Sequence, residues 1–459
     1  MDLVRMACFQ EKPLTPVSAI LRKSVVAVER YPGTIVLAVS MLLVGLSPRV
    51  AAQATPAALW IGTWASSPVQ IDSHRSFNRQ TLRQIVHTSV PGSRARIQIS
   101  NLFGAQPLRI EDVHLAMAGD GSSILPGTDR RILFSVQPFV TIPPGATAAS
   151  DPVAFAAPAL GNVAISMFLP GPTGPPSFHP YAHQTSYVAP GDLSANRTLP
   201  NPEPVTSWYF LTNLDVLGDQ LQGSIVTLGA SITEGFISAD NANHRWPDDL
   251  AQRLASAGLK IGVLNEGIAG NRLLSNAMGR SAEARFYGDV AEQPGVRWVI
   301  FSDDPINDLN SLRSRPAGDQ LISAIATLIT RAHEQHIKFL CSTLTPYEGA
   351  DHWTPEGEAA REQVNAFIRS GTLGCDGVID QDAATHDPRH PARYLPAYDA
   401  GDHIHPNEAG LQAIANAVNL TLFSGAIASA ATGSMMESPL PGPTRCDMHF
   451  LSLDYHFPD

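Results

Sequence analysis

Ser231 follows a short apolar stretch, at a position where a hydroxyl can act as a nucleophile. Residues 227–231 read TLGAS, so a predicted strand ends in Gly-x-Ser. Ligands of open parallel sheets bind at the carboxyl ends of the strands, and this serine is expected at that edge. The Gly-x-Ser-x-Gly elbow of α/β-hydrolases is absent because position 233 is threonine. Taken alone, the segment is more typical of an ordinary turn serine.

A carboxylate and an imidazole lie three residues apart near the other end of this region. Asp402 and His405 precede a helical pattern, and their spacing allows both side chains to lie on one side of a turn. A nucleophilic serine needs a base, and the base needs an acceptor that orients it. Ser231, His405 and Asp402 therefore supply a complete predicted relay. The alternative for the second segment alone is an exposed polar turn with a helix cap.

Two loops between these segments contain groups that can stabilise an oxyanion. Residues 265–272 read NEGIAGNR, and their glycines can expose a backbone N–H. Residues 303–308 read DDPIND, and the Asn307 side-chain amide can donate. Preorganised donors of this kind contribute on the order of 3 kcal/mol each in acyl transfer. The alternative for each is an ordinary strand-to-helix loop.

Together, the four segments resemble the SGNH (GDSL-type) hydrolases over residues 223–410. The resemblance implies a carboxylic ester hydrolase that needs no cofactor or metal. It also implies a role for each of five residues: Ser231 as nucleophile, His405 as base, Asp402 as the partner of the base, and Gly270 and Asn307 as oxyanion donors together with the Ser231 amide. Residues 245–248, RWPD, resemble a segment of an extracellular two-domain subgroup in which a β-rich domain comes first.

Two positions depart from the family pattern. The family has aspartate directly before the nucleophile, where this chain has Ala230, and glycine two residues before the oxyanion asparagine, where it has Pro305. Proline restrains its own φ and disfavours a helical conformation in the preceding residue, so we expect an extended Asp304 and a displaced Asn307 amide. All direct chemical roles remain filled, and the sequence still predicts an active enzyme, with a reduced rate as one possible consequence.

Several polar and aromatic residues are assigned no chemistry. Asp303, Asp304 and Asp308 lack further ligands at metal-binding spacing, so we predict no metal site there. His403 is expected at the rim of the site, because His405 occupies the matching motif position. The tryptophans Trp60 and Trp64 are predicted in the core of a β-sandwich rather than at a sugar site.

The elements that position these residues alternate along the second half of the chain. Strands are predicted at 224–228, 261–264, 298–301, 337–340 and 377–379, with helices at 247–257, 317–333, 358–368 and 407–422. Strands that alternate with helices indicate a parallel sheet covered on both faces. The resemblance makes this a flavodoxin-like three-layer α/β/α domain with a five-stranded sheet.

The first half shows a different pattern, with period-two alternation broken by Gly, Pro and Asn. Arg96–Ser100 alternates cleanly, and several such strands without helices predict a β-sandwich. The expected divisions of the chain are a targeting segment at 1–54, the sandwich at 59–195, a proline-containing linker at 196–222, the hydrolase domain at 223–425 and a tail at 426–459.

The N-terminus has the order of a secretory signal. Basic residues precede an apolar run at 34–46, and small residues follow at 51–54. The run is shorter than the ~20 residues that span a bilayer, so we expect cleavage near Ala54, a secreted or periplasmic protein and no stable membrane span. An uncleaved anchor and a cytosolic chain are the alternatives.

Charge and cysteine content argue against several other classes of protein. The net charge is −11 and no dense Lys/Arg run occurs, which argues against nucleic acid as a partner. The cysteines Cys8, Cys341, Cys375 and Cys446 form no C-x-x-C pair, which argues against zinc or redox chemistry. Cys341 and Cys375 are predicted as buried free thiols, with a single disulfide as the alternative.

The sequence therefore predicts a secreted serine ester hydrolase with a small-molecule or polysaccharide ester as its substrate, and short acyl chains are expected. Two alternatives remain. One is a carbohydrate-binding protein whose hydrolase domain has lost activity, which only Ala230 and Pro305 favour. The other is an acyltransferase that uses the same residues.

Overall fold

Antiparallel sheets in the first half of the chain give way to a parallel sheet in the second. The computed structural model describes residues 59–71, 75–312 and 315–423. The predicted targeting segment at 1–54 and the predicted tail at 426–459 lie outside these residues. Within the described part of the chain, no helix combines the length and apolarity that a membrane crossing requires.

The strand-rich region contains fourteen strands among the described residues. They are β1 (Ile61–Ala65), β2 (Gln80–His87), β3 (Gly92–Ser100), β4 (Leu108–Met117), β5 (Arg130–Ile132), β6 (Phe139–Ile142), β7 (Thr147–Ala149), β8 (Val153–Ala157), β9 (Asn162–Leu169), β10 (Phe178–His179), β11 (Ser186–Pro190), β12 (Glu203–Val205), β13 (Trp208–Tyr209) and β14 (Leu211–Leu217).

Twelve of these strands form two larger antiparallel sheets that share one core, and β10 pairs separately with β13. One sheet has the order β1-β14-β3-β7 with β8 on β3, and the other has the order β12-β11-β2-β9-β4-β5 with β6 on β4. Ile97 and Leu214 from the first sheet and Leu82 and Ile165 from the second belong to the same buried cluster. The predicted β-rich region is therefore confirmed. Trp64 lies in this core, edge-on to Trp208 at 4.9 Å between ring centroids.

Three strands fall within residues 196–222, the range expected to be a linker. β14 pairs with both β1 and β3, and β12 pairs with β11, so two of the three belong to the larger sheets, while β13 pairs with β10. The prolines that suggested a linker are compatible with this placement, because β12 is an edge strand, where a missing backbone donor is tolerated. The division of the chain into domains stays a prediction.

The second half forms the predicted alternation of strands and helices. The strands of its sheet are β15 (Gly223–Gly229), β16 (Ile261–Gly267), β17 (Val296–Phe301), β18 (Lys338–Ser342) and β19 (Gly377–Ile379), and a hairpin follows with β20 (His386–Asp387) and β21 (His390–Tyr394). The helices are α1 (Ser231–Glu234), α2 (Trp246–Ser256), α3 (Ala282–Phe286), α4 (Asp304–Leu309), α5 (Gly318–Glu334), α6 (Pro355–Ser370), α7 (Gln381–Thr385) and α8 (Glu408–Ala417), with a π-helical turn at Tyr287–Ala291 and a 3₁₀ turn at Leu420–Phe423.

The sheet is parallel and has the order β16-β15-β17-β18-β19. Neighbouring residues of a strand point to opposite faces, so Ile225 packs in one helix-covered layer and Val226 in the other. Leu250 of α2 and Leu411 of α8 cover the first face, and Leu321 of α5 covers the second. The predicted five-stranded α/β/α arrangement is confirmed.

The expectation of two free thiols is wrong, because Cys341 and Cys375 form a disulfide with a Cα–Cα distance of 5.8 Å. Cys341 lies in β18, and Cys375 lies just before β19, the strand that pairs with β18. Adjacent strands therefore bring together two residues 34 positions apart. Their spacing in the sequence contains no sign of this proximity.

The strand-rich region packs against β16, an edge strand of the parallel sheet. The N–H of Val263 in β16 donates to Ser89 Oγ at 2.9 Å. The backbones approach closely at Gly262, where an added Cβ would lie 2.0 Å from the carbonyl oxygen of Gly62. The two regions are therefore in direct contact along this edge.

Candidate active site

Ser231 lies two residues after the carboxyl end of β15, as the first residue of α1. The turn that presents it is tight, because a Cβ on Gly229 would lie 2.1 Å from Thr233 Oγ1 and 2.5 Å from Asp303 Oδ1. Only glycine fits at that position without moving its neighbours. The serine is 8% exposed, so its hydroxyl lies at the edge of the sheet with limited access to solvent.

The structure brings Ser231, His405 and Asp402 into one hydrogen-bonded chain. His405 Nε2 lies 2.8 Å from Ser231 Oγ, and His405 Nδ1 lies 2.6 Å from Asp402 Oδ2. A carboxylate only accepts, so it selects the tautomer with the proton on Nδ1 and leaves Nε2 as the acceptor for the serine hydroxyl. This is the order of groups that a serine nucleophile and its base require.

The loop that contains His405 is held from both ends. Asn407 caps α8 by accepting from Gly410 N at 3.1 Å, and its Nδ2 donates to the carbonyl of Ala397 at 3.0 Å. The other carboxylate oxygen of Asp402 accepts from the backbone N–H of His405 at 2.9 Å and of Ile404 at 3.1 Å. The base is therefore positioned by backbone contacts as well as by its side-chain partner.

These contacts determine the charge state of Asp402. Partial burial alone would raise its pKa, but the hydrogen bond from the His405 ring and those from the backbone of His405 and Ile404 lower the pKa to about 2. Asp402 is therefore ionised at any pH near neutrality. An ionised acceptor beside Nδ1 stabilises the imidazolium that forms when His405 takes a proton.

Two backbone N–H groups are free at the predicted oxyanion position. Within the described parts of the chain, neither Ser231 N nor Gly270 N has a hydrogen-bond acceptor. Gly270 has φ +72°, a left-handed conformation that glycine adopts without strain. The loop that contains it is attached to the serine turn, because Ile268 N donates to Gly229 O at 3.1 Å.

Asn307 lies in α4 and contacts the same loop. Its Nδ2 donates one hydrogen to the carbonyl of Asn271, the residue after Gly270, at 2.9 Å. An amide nitrogen has two hydrogens, so a second one remains available. The structure thus joins the two loops that the sequence assigned to the oxyanion.

The extended conformation expected for Asp304 before Pro305 is wrong. Asp304 is the first residue of α4 and Pro305 the second, so Asp304 is helical rather than extended. The first turn of a helix tolerates proline because its N–H groups have no partner within the helix. Pro305 is therefore compatible with α4, the helix that contains Asn307.

Asp303 has a structural role that the sequence interpretation missed. Its Oδ1 accepts from the N–H groups of Ala230 at 3.0 Å and Thr233 at 3.2 Å and from Thr233 Oγ1 at 2.5 Å, and its Oδ2 accepts from Ile232 N at 2.8 Å. It binds the amides on either side of Ser231 and leaves that of Ser231 free. Asp303 lies two residues after the end of β17, the neighbour of β15, and the sequence pattern does not contain this order of strands.

Arg285 holds the same turn from the other side. It is 4% exposed, and its Nη2 donates to Gly229 O at 2.9 Å. Its Nη1 donates to Glu266 O at 2.6 Å and its Nε to Asn271 Oδ1 at 3.1 Å. One guanidinium therefore connects the serine turn with the loop that contains Gly270. Nothing in the local sequence around Arg285 indicates this role.

The two other aspartates of this loop are buried, and Asp308 supports the backbone. Asp308 accepts from Leu273 N at 2.7 Å, and burial raises its pKa to about 6. Burial raises the pKa of Asp304 to about 7, although Arg285 lies beside it at 3.4 Å. No group of residues in the described ranges has the composition of a metal site. His403 is half exposed and contacts Asp399 rather than the serine.

Comparison with known proteins defines the class of this region. Residues 227–413 match the model of the GDSL-like Lipase/Acylhydrolase family. The family match and the α/β/α fold make this region a GDSL-type hydrolase domain. The protein is a carboxylic ester hydrolase.

Several solved structures are similar to this chain. A lipolytic protein of the G-D-S-L family from Desulfitobacterium hafniense is 20% identical, with 42% of this chain and 97% of that chain covered and a TM-score of 0.33. A GDSL-like lipase from Bacteroides thetaiotaomicron is 18% identical, with 44% and 89% covered and a TM-score of 0.34. An acetyl xylan esterase from Geobacillus stearothermophilus is 21% identical, with 44% and 95% covered and a TM-score of 0.35. A search of curated proteins found no match.

Proposed function

We propose that this chain is a secreted serine esterase that cleaves short-chain carboxylic esters through an acyl-enzyme on Ser231. The observation that supports the proposal is the hydrogen-bonded chain from Ser231 Oγ through His405 to Asp402, with distances of 2.8 and 2.6 Å. The free N–H groups of Ser231 and Gly270 support it as well, because acyl transfer needs donors for the developing oxyanion.

The first half-reaction acylates the serine. Ser231 Oγ attacks the ester carbonyl carbon while its proton passes to His405 Nε2. The carbonyl oxygen becomes an oxyanion that accepts from the N–H groups of Ser231 and Gly270 and from Asn307 Nδ2. The carbon–oxygen bond to the alcohol then breaks, and the alcohol leaves with the proton held by His405.

The second half-reaction releases the acid. A water molecule takes the place of the alcohol beside His405, which removes its proton as the water oxygen attacks the acyl carbon. The same donors bind the second oxyanion. The bond to Ser231 Oγ breaks, and the proton returns to the serine. Asp402 stays ionised throughout and holds the His405 ring in the productive tautomer.

The proposed substrate class rests on observations other than the geometry of the site. A secretory N-terminus and an attached β-rich region suit an ester of a polysaccharide or a small soluble ester, and we propose a short acyl group. An acyltransferase would use the same residues with an alcohol in place of water. The fraction of acyl groups that is transferred to an added alcohol, rather than to water, distinguishes an acyltransferase from a hydrolase.

The test is the loss of hydrolysis in Ser231→Ala. We expect its kcat on p-nitrophenyl acetate to fall by about 10⁴-fold or more, as in other enzymes that lose such a serine. A fluorophosphonate probe should label the wild-type chain and leave Ser231→Ala unlabelled. Ser238→Ala is the matched control, because Ser238 is a nearby buried serine whose hydroxyl donates to Gly235 O at 2.7 Å instead of to a histidine.

Two results would contradict the proposal. Full hydrolysis by Ser231→Ala would exclude this serine as the nucleophile. A folded wild-type chain that neither hydrolyses esters nor reacts with the probe would favour the alternative of a binding protein without activity. Ala230 and Pro305 give that alternative little support, since Asp303 binds the Ala230 amide and Pro305 fits the first turn of α4.

A further inference from the structure

Two partly exposed aromatic rings extend outward from His405. The ring of Phe236 lies 5.0 Å from that of His405, and the ring of Tyr181 lies 5.5 Å from that of Phe236, nearly perpendicular to it at 89°. Phe236 is 36% exposed and Tyr181 is 43% exposed. Large apolar side chains that stay exposed to water beside His405 favour the binding of a ligand that covers them. Phe236 and Tyr181 together are called the aromatic row below.

The backbone holds both members of the row in place. Phe236 N donates to Ser231 O at 3.0 Å, directly after Gly235, whose φ of +89° ends α1. Tyr181 belongs to the strand-rich region, and the carbonyl of the next residue, Ala182, accepts from Arg245 Nη1 at 3.0 Å. The row therefore begins at the predicted catalytic serine turn and ends on the strand-rich region.

The chemistry of ester cleavage indicates which half of a substrate the row contacts. His405 must deliver its proton to the leaving alcohol oxygen, which requires that oxygen within hydrogen-bond reach of Nε2. The oxyanion donors lie on other loops, at Gly270 and Asn307. The alcohol therefore lies next to His405, and Phe236 is a partly exposed ring that packs against the His405 ring.

The polar groups next to the row favour a sugar over a plain hydrocarbon. The His183 ring lies 6.5 Å from Phe236, and its Nδ1 lies 3.3 Å from the carboxylate of Asp240, which is 57% exposed. Aromatic rings pack against the C–H faces of a pyranose, and an exposed carboxylate accepts from its hydroxyls. Exposed ring surface on Tyr181 and Phe236, with the exposed Asp240 carboxylate as an acceptor nearby, matches both properties of a pyranose.

We propose that the aromatic row is the binding subsite for the alcohol part of the ester, and that this alcohol is a pyranose sugar. This inference rests on the proposed function, since it assumes that His405 protonates the leaving group. Its consequence is that the strand-rich region takes part in substrate selection through Tyr181. Removal of either ring should lower the rate of hydrolysis of sugar esters more than that of esters of simple alcohols.

The test compares alcohols at a constant acyl group. The measured quantity is the ratio of kcat/KM for xylose tetra-acetate to kcat/KM for methyl acetate. We expect Tyr181→Ala and Phe236→Ala each to lower this ratio about tenfold relative to the wild type, the size of one aromatic contact. Tyr287→Ala is the matched control, because Tyr287 is a 46% exposed tyrosine that also packs edge-on to a phenylalanine, Phe286, at 5.9 Å.

Other outcomes overturn the inference. An unchanged ratio in a folded Tyr181→Ala variant would exclude contact with the sugar. A loss that grows from methyl acetate to methyl butyrate would make the row an acyl subsite. A loss confined to phenyl acetate would assign it to aryl alcohols. If Tyr181→Ala fails to fold, Tyr181→Leu keeps the bulk of the side chain and removes the ring.

A separate measurement distinguishes failure of the subsite from failure of the proposed function. If the wild-type chain hydrolyses no ester, the catalytic proposal fails, and binding of methyl β-xylopyranoside by calorimetry still tests the row. Binding that Tyr181→Ala weakens and Tyr287→Ala leaves intact would support the subsite. Absence of binding together with active hydrolysis of methyl acetate would overturn the subsite alone.

Discussion

Replacement of Asp303 by alanine is expected to impair catalysis by more than its effect on stability explains. The carboxylate accepts from three backbone N–H groups, those of Ala230, Ile232 and Thr233, and from the Thr233 hydroxyl. It is 2% exposed, so solvent does not replace it readily. The substitution leaves all four donors without their acceptor at the turn that presents Ser231.

The magnitude follows from the number of donors. Each buried donor left without an acceptor costs about 1–3 kcal/mol, and water that enters the vacated space satisfies some of them, so we expect a stability loss of about 3–4 kcal/mol. The Ser231 N–H then loses its fixed direction toward the oxyanion. Loss of one such donor lowers kcat by about 10²–10³-fold. We expect the loss of kcat in Asp303→Ala to be near the lower end of this range, with little change in KM.

The assay is the measurement of kcat and KM on p-nitrophenyl acetate well below the unfolding temperature of each variant, with thermal unfolding recorded in parallel. Asp380→Ala is the matched control, because Asp380 Oδ1 caps α7 by accepting from Ala383 N at 3.1 Å and also accepts from Thr343 Oγ1 at 2.9 Å. We expect it to lower stability and to leave kcat within about twofold. If Asp303→Ala keeps its kcat within threefold while it loses stability, the carboxylate supports only the fold.

Three further predictions concern other features of the domain. The double variant Cys341→Ser/Cys375→Ser should lose about 4 kcal/mol of stability, the loop-closure value for residues 34 apart, as measured by denaturant unfolding. Burial raises the pKa of Asp304 to about 7, so its contribution to stability is complete below the unfolded value of ~4 and is lost as the pH rises through 7; Asp304→Asn should flatten the unfolding temperature between pH 4 and 7. Gly267→Ala should lower kcat about tenfold or more, since its Cβ would lie 2.3 Å from the backbone nitrogen of Glu234 in α1.

Each of these predictions has an outcome that would contradict it. A reductant should lower the stability of the wild type and not that of the double cysteine variant. A wild-type unfolding temperature that does not fall between pH 4 and 7 would contradict the raised pKa of Asp304. Gly288→Ala is the control for Gly267→Ala, because no atom outside its own helix and chain neighbours lies within 4 Å of a Cβ at that position.

The second half of the fold was predictable because its periodicity is strong. The predicted strands and helices overlap those of the structure, and the strand at Gly377–Ile379 has the same bounds. The position of Asn307 was harder to predict, since the effect of Pro305 depends on where the helix starts. A proline in the first turn is tolerated, whereas one further along would break the helix. Only the observed start of α4 at Asp304 decides between these cases.

The missed features depend on which strands are neighbours. Asp303 reaches the serine turn because β17 lies beside β15, and Cys341 meets Cys375 because β18 lies beside β19. A sequence pattern predicts where the strands lie along the chain, but it does not predict which strands are neighbours in the sheet. The range at 196–222 was interpreted from its prolines, which edge strands tolerate as well as linkers do. Contacts between distant segments were thus the part that local patterns did not contain.

The contact between β16 and the strand-rich region has a consequence for modularity. β16 forms one border of the parallel sheet, and its Val263 N–H is satisfied by Ser89 of the strand-rich region. A hydrolase domain separated from that region would expose an unpaired strand border, the kind of surface on which chains aggregate. The preceding region therefore covers a surface that favours self-association, and we expect a hydrolase domain made without that region to aggregate more readily than the full chain.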